Sequence, residues 1–286
     1  MYYGLIVISV IMFGGCFALN DTYRKMRGSS LKISMQHSLT STIPSLIVML
    51  ILNGFRLEFT PFTLIMAILS SLNGIAFTFC GFKALGTINL SLYSLFSMLG
   101  GMVLPFLQGI LFYNEAVTLA KAVCFLLICV ALLLTVQPGK KKGGTIYYIG
   151  IFILNGMSGV LSKIFTSAPF EKTSAAGYSV LGAFTTIVIS TFVLLMMRDK
   201  KDTPKLTAAA AGISAMGGIT NRLANYLLVI ALAHVHASVQ YPMVTGGVMI
   251  VSTLICFFGK NKPTKKELLS VLLAFIGILA LVLIPV

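Results

Sequence analysis

Ala84–Glu115 reads ALGTINLSLYSLFSMLGGMVLPFLQGILFYNE, and this long uncharged stretch decides the fold. Between Lys83 and Glu115 the chain carries no charged side chain. A helix needs about 20 mostly apolar residues to cross the roughly 30 Å hydrocarbon layer of a bilayer. The stretch therefore predicts a membrane-spanning helix near 88–113, followed by a polar connection.

The rest of the chain has the same composition. Of its 286 residues 57% are hydrophobic and 10% are charged, and the mean hydropathy is +0.98, whereas a soluble domain has about 25% charged residues. The apolar residues form long blocks with short polar connections between them, which is typical of a polytopic membrane protein. The sequence thus predicts an all-α protein with ten transmembrane helices, near 2–19, 33–52, 61–84, 88–113, 117–136, 145–166, 174–197, 206–233, 237–259 and 267–285.

Composition also argues against several classes of function. The net charge of +14 comes largely from basic residues in the connections, and no basic face interleaved with aromatic residues indicates a nucleic-acid binder. The five cysteines lie in apolar runs, without a C-x-x-C motif or a Cys/His pair at metal spacing, so neither a metal nor a cofactor is expected. A nucleophile–base set and paired acids are lacking as well, which predicts that the protein is not an enzyme.

The two halves of the chain resemble each other. Tyr2-Tyr3 followed by Gly14 is matched by Tyr147-Tyr148 followed by Gly159, and the offset stays near 145–147 residues, or five spans. Three further pairs share this offset: Ala84-Leu85 with Ala231-Leu232, Gly100-Gly101 with Gly246-Gly247, and Leu111-Phe112 with Phe257-Phe258. An odd number of spans gives the halves opposite orientations in the membrane. The expected organisation is two inverted five-helix repeats, 1–138 and 139–286, an arrangement typical of transporters.

With these two halves and the Ala84–Glu115 stretch at the end of the first, the chain resembles the drug/metabolite transporter superfamily, specifically its ten-span, EamA-type members. Glu115 stands where such families place a glutamate after the fourth span. The chain departs from the family at Gly100-Gly101, where a proline is common, and at Asn261 or Lys262, where a second glutamate is often found. The resemblance implies carrier-type movement of small metabolites, often export, across the cell membrane.

The eighth run is interrupted by polar residues in GITNRLANY, Gly218–Tyr226. Arg222 lies about 4 Å along the axis from the midpoint of the predicted span 206–233. Arginine at a span centre costs about 2.5–3.5 kcal/mol on insertion scales, so it requires a reason. Asn221, Asn225 and Tyr226 lie three or four residues from one another or from Arg222 and share a helix face. With no acidic residue in mid-span, we expect Arg222 to bind an anionic group of a substrate; the alternative is a structural arginine paired with backbone carbonyls.

Polar residues of other spans are expected to face the same interior. Asn89 and Tyr93 recur at helical spacing in the fourth span, as His236 and Gln240 do in the ninth, with Tyr241 beside them. At an offset of 147, Asn89 aligns with His236 and Tyr93 with Gln240. The alternative is that they are hydrogen-bonding contacts between helices. The other predicted substrate-binding residues are Asn73 in the third span and Asn155 and Ser158 in the sixth.

These residues predict a secondary transporter for a small polar metabolite, amino-acid-like or a carboxylate, that works by alternating access. The family resemblance implies that it acts as an exporter. A carrier of cationic drugs would require a buried carboxylate, which the spans lack. The alternatives are a lipid-linked-sugar translocator of the same fold and a non-transporting membrane protein. The expected partners are the small-molecule substrate and the lipid bilayer, and the sequence leaves monomer and homodimer open.

The basic residues also predict an orientation. Sixteen of them lie at connections after odd-numbered spans and three, Arg56, Lys121 and Lys172, at the others. Positively charged connections stay in the cytoplasm, so both termini are expected outside. The sixteen are Arg24, Lys25, Arg27, Lys32, Lys83, Lys140, Lys141, Lys142, Arg198, Lys200, Lys201, Lys205, Lys260, Lys262, Lys265 and Lys266.

Overall fold

A computed structural model describes residues 2–87, 90–134, 145–197, 205–258 and 264–283. Within these residues the chain forms α-helices and no β-strand, which confirms the predicted all-α class. The helices are α1 (Tyr2–Arg27), α2 (Leu31–Leu52), α3 (Pro61–Thr87), α4 (Leu90–Tyr113), α5 (Leu119–Leu134), α6 (Thr145–Ser167), α7 (Ala175–Met196), α8 (Ala208–Leu232), α9 (Ala237–Phe258) and α10 (Lys265–Leu283).

Six of these helices are long and apolar enough to cross a membrane, namely α1, α2, α3, α4, α6 and α7. Shorter apolar segments lie in α5, α9 and α10. The helix α8 has 25 residues but is not among the six in the described part of the chain. Arg222 and its neighbouring asparagines lower its hydropathy. The protein is therefore a helical membrane protein.

Local signals explain where several helices begin and end. Gly28, with a φ of 96°, ends α1 by adopting a conformation that favours glycine. The hydroxyls of Ser30, Ser174 and Thr207 then accept hydrogen bonds from the first-turn amides of α2, α7 and α8. These caps satisfy backbone donors that the helices cannot satisfy themselves.

The helices pack as a bundle in which most partners are distant in sequence. Helix α1 packs on α8 and α9, α2 on α7 and α8, α3 on α6 and α7, α4 on α6 and α9, and α5 on α10. Glycines bring two of these pairs close together. A Cβ on Gly100 would collide with the Phe152 carbonyl of α6, and one on Gly218 with the Ser41 carbonyl of α2. Glycine is required at both contacts.

The outer surface is hydrophobic, and many polar side chains lie inside the bundle. Large side chains such as Phe112 and Leu195 are 77% and 76% exposed. The largest buried apolar cluster, which includes Ile6, Met102 and Ile128, joins α1, α4, α5, α8, α9 and α10. A surface this apolar is unfavourable in water and suits lipid, which agrees with the membrane assignment.

Candidate functional site

A central cavity of about 420 Å3 lies between α1–α4 and α6–α9. Each of these eight helices contributes side chains to its wall, whereas α5 and α10 contribute none of the described lining residues. Its polar lining includes hydroxyls, amides, one arginine and one histidine. Among the described residues that line it, none is aspartate or glutamate.

Arg222 is the cationic side chain of this wall. Its guanidinium lies against α7, where a Cβ on Gly182 would be 3.3 Å from Nη1, and it interacts electrostatically with Tyr178. Within the described residues the guanidinium makes no hydrogen bond or ion pair. On the same helix the Asn225 amide donates to the Asn221 carbonyl oxygen at 2.9 Å and to its side-chain oxygen at 3.1 Å. Both asparagines line the cavity beside Arg222.

Hydroxyl groups from α3 and α7 also line the cavity. Ser70 Oγ is 2.6 Å from the Tyr178 hydroxyl, and Ser71 Oγ donates to the Gly182 carbonyl at 2.9 Å. The α2 residues Ser38, Ser41, Thr42 and Ser45 also line the cavity. The sequence analysis assigned none of these hydroxyls. The signal for the α2 hydroxyls is the run of serines and threonines in SMQHSLTSTIPS, Ser34–Ser45.

Three predicted residues join α3, α4 and α6. The Asn73 amide donates to the Leu154 carbonyl at 2.9 Å and to Ser158 Oγ at 2.8 Å. The Asn155 amide donates to the Ser97 carbonyl at 2.6 Å. Asn155 and Ser158 line the cavity, whereas Asn73 lies behind Ser158 and contacts it.

Two predicted residues of α9 also reach the cavity. The Gln240 amide donates to the Leu228 carbonyl at 3.1 Å, and the Tyr241 hydroxyl donates to the Gly159 carbonyl at 2.9 Å. Both side chains are buried and line the cavity wall. These bonds tie α9 to α8 and to α6 and fix the two side chains in place.

The remaining predicted residues lie elsewhere. Tyr226 is half-buried and is not among the described lining residues. The His236 side chain is 68% exposed, because it directly precedes α9 at an end of the bundle. Asn89 lies outside the described residues, and so does the side chain of Tyr93. Seven of the predicted residues therefore share the cavity wall: Arg222, Asn221, Asn225, Asn155, Ser158, Gln240 and Tyr241.

Glu115 forms a buried contact between helices, although the sequence analysis placed this residue only in a connection. Its carboxylate is 2.9 Å from Lys163 Nζ and accepts hydrogen bonds from the Ala237 and Ser238 amides at 3.0 and 2.9 Å. Burial alone would raise the pKa of Glu115, but the bonds from Ser238 and Lys163 outweigh it and lower the pKa to about 2. This ion pair holds Lys163, near the end of α6, in a buried position.

Glu58 caps a second helix at the same end of the bundle. Its carboxylate accepts bonds from the Ser174 amide at 2.6 Å and the Ser174 hydroxyl at 2.7 Å. Partial desolvation raises the pKa of Glu58, but these bonds lower it by more, so the pKa lies below its ordinary value. Glu58 and Glu115 are thus ionised structural groups outside the helices.

Comparison with known proteins adds a likeness of fold. No family model and no curated protein matches the chain. Among solved structures, one described only as "Crystal structure of protein" is similar over 96% of this chain and 94% of that chain, with a TM-score of 0.70 and 16% sequence identity. At this identity the likeness shows that the two chains share a fold.

Proposed function

We propose that the protein is a secondary transporter that exports a small polar metabolite bearing a carboxylate, amino-acid-like or a simple organic acid, across the cell membrane. The observation that carries the proposal is the Arg222 guanidinium, which lines a cavity between eight helices and has no hydrogen bond or ion pair within the described residues. A cation in such a place is costly unless it serves a ligand. The proposal includes the EamA-type relationship suggested by the sequence.

The proposal includes ten membrane crossings. Connections that would lie on one side under this topology contact each other. Glu58, between α2 and α3, caps α7, and Glu115, between α4 and α5, caps α9. Lys163, near the end of α6, meets Glu115 at the same end. These contacts support helices whose direction across the membrane alternates along the chain, including the shorter and more polar helices.

The proposal also includes two inverted five-helix repeats, and the helix packing supports it. If each helix α1–α5 corresponds to the helix five places later, the α1–α8 contact corresponds to α6–α3, α2–α8 to α7–α3, and α4–α6 to α9–α1. The contacts α2–α7, α4–α9 and α5–α10 correspond to themselves. All of these pairs are in contact, as expected from a two-fold axis through the bundle.

Individual residues follow the same relation. The side chain of Asn155 in α6 is the neighbour of Gly101 in α4, and that of Val10 in α1 is the neighbour of Gly247 in α9. Val10 and Asn155 are 145 residues apart, and Gly101 and Gly247 are 146 apart. The glycine pairs therefore serve equivalent contacts in the two halves. A cavity between such halves is where alternating access would expose a substrate to each side in turn.

The chemistry of the lining favours an anionic or zwitterionic substrate. A guanidinium offers two parallel donors that fit a carboxylate, and such charge-assisted bonds are strengthened where water is scarce. The surrounding hydroxyls and amides can bind the remaining polar atoms of the substrate. The described lining contains no carboxylate to neutralise a cationic substrate.

The test is a flux assay on the full-length protein in liposomes, with a panel of α-amino acids, ω-amino acids, dicarboxylates and organic cations. We expect counterflow of at least one carboxylate-bearing solute and none of the cations. Liposomes without protein provide the background. Transport of cations alone, or of lipid-linked sugars alone, would contradict the proposal.

A further inference from the structure

His37 in α2 lines the cavity, although the sequence analysis did not select it. It is 8% exposed, and its ring packs against two aromatic rings, with centroid distances of 4.6 Å to Tyr23 and 5.5 Å to Phe82. These contacts fix the plane of the imidazole. A histidine held in this way presents its ring nitrogens in defined directions.

One ring nitrogen belongs to a chain of hydrogen bonds. His37 Nδ1 is 2.9 Å from Ser214 Oγ, and Ser214 Oγ is 2.7 Å from Thr40 Oγ1, which donates to the Gln36 carbonyl at 2.9 Å. A carbonyl oxygen can only accept. Each proton of the chain has an acceptor when Thr40 donates to Gln36, Ser214 donates to Thr40 and His37 Nδ1–H donates to Ser214. The tautomer with the proton on Nδ1 is assigned on this ground.

This order of protons leaves the other ring nitrogen as an acceptor. In a neutral imidazole with its proton on Nδ1, Nε2 carries a lone pair. Within the described residues Nε2 of His37 makes no hydrogen bond. Because His37 is a lining residue, the cavity wall carries an acceptor here, in addition to the donors of Arg222.

The acceptor and the cation lie in different parts of the cavity. Ser214, which contacts His37, precedes Arg222 by eight residues on α8, or about 12 Å of helix rise. Helical side chains lean toward the N-terminus, which brings the guanidinium part of the way toward His37. A solute that contacts both groups is therefore elongated.

The sequence repeat shows how the two halves differ here. His37 aligns with Gly182 at an offset of 145, and Arg222 with Ile75 at an offset of 147, and all four line the cavity. In one half, glycine leaves room for a guanidinium. In the other half, the equivalent positions hold an imidazole and an isoleucine side chain. The cavity wall therefore carries hydrogen-bond donors at Arg222 and a hydrogen-bond acceptor at His37 Nε2.

We infer that His37 is a second substrate-recognition residue, whose Nε2 accepts a hydrogen bond from the end of the solute opposite the carboxylate. The inference rests on the proposed function and narrows the substrate to an elongated zwitterion, such as a linear ω-amino acid. Its carboxylate binds Arg222 and its ammonium binds His37. An acceptor group at the far end is disfavoured, because it would face the lone pair of Nε2.

The experiment compares three five-carbon probes that differ only at one end: pentanoate, 5-aminopentanoate and pentanedioate. Calorimetric titration of the purified full-length protein gives their dissociation constants. We expect 5-aminopentanoate to bind about tenfold more tightly than pentanoate, as one charge-assisted hydrogen bond would provide. Pentanedioate should bind no better than pentanoate.

Two variants assign this preference to His37. His37→Phe keeps a ring against Tyr23 and Phe82 but has no nitrogen, and His37→Asn keeps a donor toward Ser214 but has no Nε2. In both variants, 5-aminopentanoate and pentanoate should bind with about equal dissociation constants. The dissociation constant of pentanoate itself should stay within about twofold of the wild-type value. A wild-type protein without the preference, or a folded variant that retains it, would overturn the inference.

Arg222→Gln separates this inference from the proposed function. If it leaves the affinity for pentanoate unchanged, the anion site is wrong whatever His37 does. If it weakens pentanoate while the His37 variants retain the preference for the amine, only the role of His37 is wrong. If the wild-type protein binds none of the three probes, the inference about His37 fails, and the flux assay with the wider panel decides the proposed function separately.

Discussion

Arg222 shows how a single residue can be placed in a membrane protein at a cost that its surroundings offset only in part. Asn221 and Asn225 bond to each other, and Gly182 leaves room for the guanidinium on the facing helix. The arginine thus lies against backbone and hydroxyls with its donors available to a ligand. The position of Arg222 and the room beside Gly182 therefore characterise this candidate site more than protein groups bonded to the guanidinium do.

Gly182→Ala tests the space that Gly182 provides. The added methyl would lie 3.3 Å from Arg222 Nη1, so the guanidinium must shift by a few tenths of an ångström. Alanine stabilises a helix interior by about 0.5–1 kcal/mol relative to glycine, so the melting temperature should hold or rise. Transport should nevertheless fall by about threefold or more, because a small misplacement weakens a bidentate contact.

Gly212→Ala is the matched control, because a Cβ there has no neighbour within 4 Å. It should give the same gain in helix stability with unchanged transport. Equal transport by both variants would show that the position of the guanidinium is not critical.

At this scale the sequence predicted part of the cavity wall. Arg222 and the asparagines could be found because charged and amide side chains are rare in apolar runs. The hydroxyls of α2 were missed, since serine and threonine are common in membrane helices for packing. His236 and Tyr226 were included because helical spacing identifies a shared face, but not whether that face lies at the cavity or beyond it.

Among the helices, Glu115 links α9, which it caps, to α6, with which it pairs through Lys163. Glu115→Gln should lower the free energy of unfolding by about 3–5 kcal/mol, because it leaves the Lys163 charge buried without its partner. The melting temperature of the detergent-solubilised protein measures this effect. Adding Lys163→Met should restore much of the loss, since it removes the uncompensated charge.

Glu171→Gln, at an exposed connection, is the control and should change the melting temperature little. If Glu115→Gln melts like this control, the buried pair does not stabilise the bundle. If Lys163→Met only adds to the loss, the cost comes from the cap on α9 and not from the stranded lysine.

The same carboxylate predicts a pH dependence. Its pKa falls from an ordinary 4.5 to about 2 in the folded protein, so the unfolded state binds the proton more readily. The stabilisation by Glu115 is therefore complete above about pH 5 and is lost as the pH falls from 4.5 toward 2. The difference in melting temperature between wild type and Glu115→Gln should shrink over that range. A constant difference down to pH 3 would be inconsistent with this pKa.

The positions of the helices could be predicted because apolar runs must match the bilayer in length. α8, for example, was predicted at 206–233 and is Ala208–Leu232. The main difference is α1, predicted to end at 19, which continues to Arg27. Its last turns are polar, but Tyr23 is fully buried against His37 and Phe82. Such contacts, like that of Glu115 with Lys163, depend on helices distant in sequence and leave no local signal.

At the scale of the whole molecule, an apolar exterior surrounds a polar cavity, and the connections carry an uneven charge. The excess of basic residues after odd-numbered helices predicts that both termini lie outside the cytoplasm. Reporter fusions at the C-terminus should be active only with a reporter that functions outside. Activity of a cytoplasmic reporter at that end would reverse the orientation.

The most direct test of the transport proposal is uptake per folded molecule in liposomes by wild-type, Arg222→Lys and Arg222→Gln proteins. The solute is the carboxylate-bearing compound that the wild type carries fastest, and Arg56→Gln, at an exposed connection, is the control. Lysine keeps the charge but loses the two parallel donors, so uptake should fall by about tenfold, and glutamine should nearly abolish it. The control should match the wild type. Wild-type uptake by a normally folded Arg222→Gln protein would contradict the account, because Arg222 would then be structural.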